Sequence, residues 1–314
     1  MSKALVIIKS MGIGDLCILI SNIHAISKKI NKPVKVLAQK NTCATAILKH
    51  DHHVDEVIEL DEKEIKGFFS IIKKIKPKQF DQSYIFSDSI RFSLISKLSG
   101  IKENFQYEFF SKKGKNFFKT AKEFTEKILD TKIDSQSKIY CDKNDIEETK
   151  RKFSITDKTK NIICGISASG PTKRWDISNY IKLFENLNSK FQCKFFLAGG
   201  SNDEDLIKKV TSSSIGNRCI SFSTMKIAET MPIINACQYY IGNDTGWGHI
   251  SSGLDLKSLF LFMDSPPSAY GVYSKNISII VPDGETVESC GHNTRGKNKI
   301  SVDKVLHKSL ELIN

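Results

Sequence analysis

Short apolar runs alternate with amphipathic stretches along most of the 314-residue chain. Runs at 5–8, 34–38, 57–60 and 82–86 have the length and β-branched content of buried strands. Between them, 16–29, 42–49, 62–75 and 90–98 repeat apolar positions with helical period. A strand–helix rhythm of this kind predicts a parallel sheet covered on both faces. Residues 103–120, rich in Phe, Lys and Gly, show no clear period and read as a loop or helical excursion. Residues 145–160 are polar and read as a helix followed by a linker. The rhythm then restarts, with strands at 161–166, 194–198, 219–221, 239–241 and 257–262. The helices of this half fall at 178–190, 203–210 and 227–236, with another from Gly246. The last stretch, 301–313, places Val302, Val305, Leu306, Leu310 and Ile313 on one helical face. Two α/β halves follow, divided at 155/156.

The 40% hydrophobic content suffices for sizeable cores. No window approaches the ~18 consecutive apolar residues that span a bilayer. The run Ala4–Ile8 is short and followed by Lys9, so it reads as a first strand and not a secretory segment. Eight cysteines are scattered singly, without C-x-x-C spacing, which argues against a zinc site or a disulfide framework and for a reducing, cytoplasmic compartment. Of the net charge of +12, residues 1–160 carry +10. That half is either a solvated lysine-rich face or a surface for a polyanion. Arginines are few and no RNA-binding signature with interleaved aromatics occurs, so nucleic acid is the weaker partner. Exposed aromatics among Phe105, Phe109, Phe110, Phe117 and Phe118 could meet a lipid, although buried packing is the commoner fate. His50, His52 and His53 lie in a charged loop and read as solvated.

The segment Tyr240–His249 (Tyr-Ile-Gly-Asn-Asp-Thr-Gly-Trp-Gly-His) is the most informative. It reads as a buried strand, a turn at Gly242-Asn243, an N-cap at Asp244 or Thr245, and a helix. A helix N-terminus offers free N–H groups and a positive dipole end, and Gly246 and Gly248 would let a ligand approach the backbone. The segment is thus shaped for a phosphate. Asp15 follows Gly12-Ile-Gly14 after the first strand. It can accept a proton from an attacking hydroxyl, or merely cap the following helix. A dinucleotide fingerprint there would need glycine where Cys17 stands. Lys173 and Arg174, with Ser167, Ser169 and Thr172 nearby, are suited to a diphosphate, or are exposed loop charges. Asp203-Glu-Asp205 matches D-x-D, but opens a helix where acids cap. Glu204 could approach a ribose.

These features resemble glycosyltransferase family 9, the lipopolysaccharide heptosyltransferases. Asp244-Thr-Gly-Trp-Gly-His249 is similar to its D-T-G-x-x-H signature. Ala4–Asp15 is similar to its opening strand and R-x-G-x-x-G-D loop, with Lys9 in the arginine position. Lys173-Arg-Trp-Asp176 is similar to K-x-W-P, with Asp176 in the proline position. Phe195–Gly200 resembles its strand and glycine turn. The resemblance implies a GT-B fold, two Rossmann-like domains facing each other across a cleft, with the final helix 301–313 packing back on the first domain. It implies an inverting, metal-independent transferase without cofactor. The donor would be ADP-L-glycero-D-manno-heptose or a related nucleotide-diphosphate sugar, and the acceptor an anionic glycolipid such as a lipopolysaccharide core. Contact with the inner membrane surface would be peripheral. Asp15 would be the base, and Lys173 would stabilise the leaving diphosphate. Gly12, Gly14, Thr172, Arg174, Glu204, Asp244, Thr245, Gly246 and His249 would line the donor site. A nucleotide-sugar epimerase and a non-catalytic glycan- or nucleotide-binding protein are the alternatives.

Overall fold

In a computed structural model, residues 3–9, 12–108, 116–294, 296 and 299–314 are described. Phe109 and Phe110, named above, and Ser10 and Met11, within the Ala4–Asp15 segment, lie outside that set. The chain forms two units, Met1–Tyr140 and Cys141–Asn314.

The first unit runs β1 (Ala4–Ile8), α1 (Ile13–Ile30), β2 (Val34–Gln39), α2 (Ala44–Ile47), β3 (Val54–Leu60), α3 (Glu62–Lys66), α4 (Phe68–Ile75), β4 (Gln82–Phe86), α5 (Ile90–Leu98), β5 (Glu103–Gln106) and α6 (Phe117–Leu129). Its sheet is parallel, ordered β3-β2-β1-β4-β5. All five residues of β1 are buried, as a central strand covered on both faces requires. One face packs Leu5, Ile7 and Ile85 under Ile71 and Ile75 of α4 and Phe92 and Ile95 of α5. The helix read over 62–75 is two helices. Gly67 takes an extended conformation (φ −81°, ψ 116°) between them, after an Asp61–Glu64 capping box starts the first. The aperiodic stretch 103–120 holds β5, whose Phe105 stacks on Tyr84, and the start of α6, capped by Asn116.

The histidine loop is not simply solvated. His50 and His52 are exposed, but His53 is half-buried, with its ring 4.4 Å from that of the buried His24. His24 Nε2 meets Asp51 Oδ2 at 2.7 Å. Burial, then the charges of His24 and His52, lower His53 to about 4.

The second unit runs α7 (Lys143–Phe153), β6 (Lys160–Gly165), α8 (Ile177–Lys190), β7 (Cys193–Ala198), α9 (Glu204–Thr211), β8 (Cys219–Ser221), α10 (Ile227–Ala236), β9 (Tyr239–Asn243), α11 (Gly246–Gly253), β10 (Lys257–Leu261), α12 (Pro267–Tyr270), β11 (Ile277–Ile280) and α13 (Val302–Ile313). Its parallel sheet is ordered β11-β10-β9-β6-β7-β8. The sequence boundary at 155/156 put α7 in the first half. In the structure α7 packs on α10 and belongs to the second unit. The final helix packs on α8, β9 and β10, and Val305 and Ile313 enter that unit's core. Its apolar face is therefore spent inside its own unit.

Both sheets reverse direction at one point. In the first, β1 leads outward to β2, and the chain returns to β4 on the other side of β1. In the second, β6 leads to β7, and the chain returns to β9 on the other side of β6. Loops leaving adjacent strands in opposite directions open a crevice at the carboxyl ends of the strands. Asp15 follows β1, Lys173 follows β6, and Asp244 follows β9, so all three loops lie at these points.

All eight cysteines are free thiols. Burial pushes Cys193 up to about 11 and Cys219 up to about 12, as for small core residues. No helix among the described residues is long and apolar enough to cross a membrane.

Candidate active site

Two glycines let the central strands of the second unit meet. Gly242 pairs with Gly165 across β9 and β6, and a Cβ on Gly242 would lie 2.4 Å from the Gly165 nitrogen. Gly242 and Asn243, read above as a turn, are therefore the buried end of β9. Asn243 then joins the two site loops. Its Nδ2 donates to the carbonyls of Ile166 (3.3 Å) and Ser167 (3.1 Å), and its Oδ1 accepts the Trp175 N–H at 3.0 Å. The Trp175 indole donates to the Ile300 carbonyl at 2.9 Å and packs edge-on to Tyr180. Trp175 is thus a fixed post, and Lys173 stands two residues before it on a short turn, Pro171–Lys173.

Thr245 is the N-cap of α11, in extended conformation, and its side chain makes no capping hydrogen bond. Its hydroxyl lies 3.2 Å from the Tyr240 hydroxyl, which itself donates to the Asn243 carbonyl. The Thr245 carbonyl accepts from Gly248 and His249, so the N–H groups of Gly246 and Trp247 head the helix. Gly248 has a different reason to be glycine than the one read from sequence. A Cβ there would lie 2.6 Å from Phe260 and 2.8 Å from Tyr240, so it serves helix–strand packing and not ligand approach.

Asp244 precedes the cap. Its Oδ1 lies 3.1 Å from His249 Nε2, and its Oδ2 accepts the Ser265 hydroxyl at 2.7 Å. His249 is buried, and its Nδ1 lies 2.9 Å from the Tyr273 hydroxyl. An ionised Asp244 only accepts, so His249 donates through Nε2–H. Burial works to raise the Asp244 carboxyl. The His249 bond and charge, the Ser265 bond and the Lys173 charge outweigh it and hold the group below its ordinary range. His249 is thus an interior positioning residue with both ring nitrogens engaged. It does not present a nitrogen to a ligand, as a site-facing histidine would.

Arg174 is half-buried and committed. Its Nη2 lies 3.3 Å from Asp203 Oδ1 and 3.2 Å from the Ala168 carbonyl. Asp203 also takes the Gly200 N–H, closing the turn before α9, which accounts for the first acid of the D-x-D match. Glu204 and Asp205 are exposed in the first turn of α9, and Glu204 takes no part in the Asp244 network. Thr172 is exposed beside the half-buried Lys173. Among the described residues, no group of three His, Cys, Asp or Glu side chains is placed to hold a metal ion. In the first unit, Gly12 is the N-cap of α1 without a side-chain cap, and Gly14 and Asp15 lie in the first turn. The Asp15 carboxylate turns back toward Gly12, whose Cβ position lies 3.5 Å from Oδ2.

The arrangement in the second unit suits an anion. It sets free N–H groups, a hydroxyl and an ammonium beside a strand crossing point, over a carboxylate whose two oxygens are already engaged. The model of glycosyltransferase family 9 (heptosyltransferase) matches residues 68–299, well over half of the chain. The chain belongs to glycosyltransferase family 9. This family 9 enzyme also shares its GT-B fold with solved structures. The E. coli ADP-heptose lps heptosyltransferase II is 18% identical with a TM-score of 0.78, over 99% of this chain and 98% of that one. A glycosyl transferase family 9 protein from Veillonella parvula is 16% identical with a TM-score of 0.80, over 99% and 97%. The E. coli heptosyltransferase WaaC with ADP is 14% identical with a TM-score of 0.74, over 98% and 99%. No curated protein matches the chain.

The sequence pointed to Lys173, Asp244 and Thr245, which the structure places after β6 and β9, but not to three residues that hold these loops. Ser265 and Tyr273 come from beyond β10, and nothing local marks them. Asn243 carried a signal: an amide at the end of an otherwise apolar strand needs buried partners.

Proposed function

We propose that this family 9 glycosyltransferase moves a heptose or related sugar from an ADP-sugar donor, with inversion, onto a phosphorylated glycolipid such as a lipopolysaccharide core. The observation that carries this reading is the Asn243 clamp, which fixes the Lys173 loop against the head of α11. A diphosphate seated there takes the N–H groups of Gly246 and Trp247 and the Lys173 ammonium, and the Thr245 hydroxyl once it turns from Tyr240. Negative charge grows on the diphosphate as the glycosidic bond breaks, so a fixed ammonium acts more strongly in the transition state than on the bound donor. Asp244 and His249 act through position, holding the strand-to-helix corner. Arg174 supports the loop through Asp203, and Glu204 is the acid available to a ribose. Asp15, in the first turn of α1 with Gly14 and just after the Gly12 cap, takes the proton of the acceptor hydroxyl. With an ammonium and helix N–H groups on the diphosphate, no bridging metal is required. A donor structure of this kind accords with the E. coli relative solved with ADP-2-deoxy-2-fluoro heptose. The acceptor reading draws on the +10 charge of residues 1–160 and implies peripheral contact with the cytoplasmic face of a membrane.

The test is thermal unfolding with ADP-, UDP-, GDP- and CDP-sugars, with and without chelator. A donor at about 100 times its Kd stabilises by roughly 2.7 kcal/mol. The ADP-sugar should raise the melting temperature most, chelator or not. A shift with another nucleotide alone would reassign the donor, and a shift lost to chelator would bring in a metal.

A further inference from the structure

We infer that α4 and α5 form a membrane-docking surface that inserts apolar side chains into an anionic phospholipid bilayer. Four of the five most exposed large apolar residues among those described lie on these two helices. They are Phe69 (78% exposed), Ile90 (47%), Leu94 (48%) and Leu98 (56%). The two helices pack side by side on one face of the first unit's sheet. Each already buries a separate apolar face, through Ile71 and Ile75 or through Phe92 and Ile95. The core therefore does not account for the outer residues. On α5 the spacing of four puts Ile90, Leu94 and Leu98 in one stripe along the outward side. On α4 and the turn after it, Phe69, Ile72 and Pro77 line a shallow apolar hollow together with Ser70, Lys73 and Lys76.

Charge selects the occupant. Neither helix contains an acid. Lys66, Lys73, Lys76 and Lys97 are exposed around the apolar residues, and Arg91 stacks over Phe92. Lys74, in contrast, is turned to Glu64. Exposed apolar side chains on two acid-free helices, flanked by four exposed lysines, match a bilayer with anionic headgroups, where the side chains enter the acyl boundary and the lysines meet phosphates. A second copy of the chain is a poorer match, because a two-fold contact would set this cationic rim against itself. The inference names the surface for the membrane contact proposed above, but vesicle binding reads it whether or not the chain is a transferase.

The test is flotation of the full chain with vesicles of phosphatidylcholine alone or with phosphatidylglycerol. Binding should need the anionic lipid and should weaken between 0.1 and 1 M salt, as the Debye length falls from about 10 to about 3 Å. Lys73→Ala and Lys76→Ala should each lower partitioning about fivefold. Leu94→Ser with Leu98→Ser should abolish it while leaving donor-dependent thermal stabilisation unchanged. Phe69→Trp provides a reporter in a variant that keeps the apolar surface, and its emission should shift to the blue with anionic vesicles. Unchanged emission, binding that survives the serine pair, or a dimer that the serine pair dissociates would each overturn the proposal.

Discussion

Asn243 accepts the backbone N–H of Trp175 through Oδ1 at 3.0 Å, tying the end of β9 to the loop that carries Lys173. The same amide donates to two carbonyls after β6, and it is fully buried. Asn243→Ala leaves three backbone groups without this partner. It should cost about 3 kcal/mol in urea unfolding and lower turnover by roughly 10²-fold through misplacement of the loop. Unaltered stability would show that the amide does not hold the loop.

Gly248→Ala should lower stability by up to about 2 kcal/mol. Overpacking against Phe260 and Tyr240 costs about 1–3 kcal/mol, offset by about 1 kcal/mol of helix propensity. Gly170→Ala, where no atom lies within 4 Å of the added carbon, is the control and should be neutral. Equal unfolding midpoints for the two variants would contradict the packing role of Gly248.

Asp244 gives a pH dependence. Its carboxyl is held below the ordinary value, so in acid the unfolded chain binds more protons than the folded one. Its stabilisation is therefore full above the ordinary carboxylate pKa, near 3.9, and is lost as pH falls through the lower folded value. Asp244→Asn should reduce stability at pH 7 and flatten the acid limb of midpoint against pH. An acid limb identical to that of the wild type would remove Asp244 from this account.

Lys173 and Arg174 should separate. Lys173→Ala should weaken donor binding and lower kcat as well, because the growing charge on the diphosphate loses its ammonium. Arg174→Ala releases Asp203 and loosens the loop, and should act mainly on KM and stability. The same kcat loss from both substitutions would mean that neither has a special place at the diphosphate.

The alternation of apolar runs with helical stretches exposed both sheets, because central parallel strands such as β1 must be apolar on both faces. The positions of Asp15, Lys173 and Asp244 were legible for a related reason: a strand end followed by glycines and a helix start is a local pattern. What escaped was non-local. Ser265 and Tyr273 join Asp244 and His249 only through folding, and α7 declares its unit only by packing on α10. Gly242 and Gly248 look like turn or ligand-approach residues in sequence, while their neighbours Gly165, Tyr240 and Phe260 show close packing. β5 escaped because its residues, Glu103-Asn-Phe-Gln106, lack the apolar content of a buried strand.

The central claim is that Asp15 takes the acceptor proton during transfer from a nucleotide sugar. It is tested most directly by nucleotide release from an ADP-sugar with and without a phosphorylated glycolipid acceptor, in wild type and Asp15→Asn. Release should require acceptor in the wild type. The substituted enzyme should bind donor equally well and release nucleotide roughly 10²–10⁴-fold more slowly. Wild-type release that ignores acceptor, or an Asp15→Asn enzyme that turns over at the wild-type rate, would contradict the account.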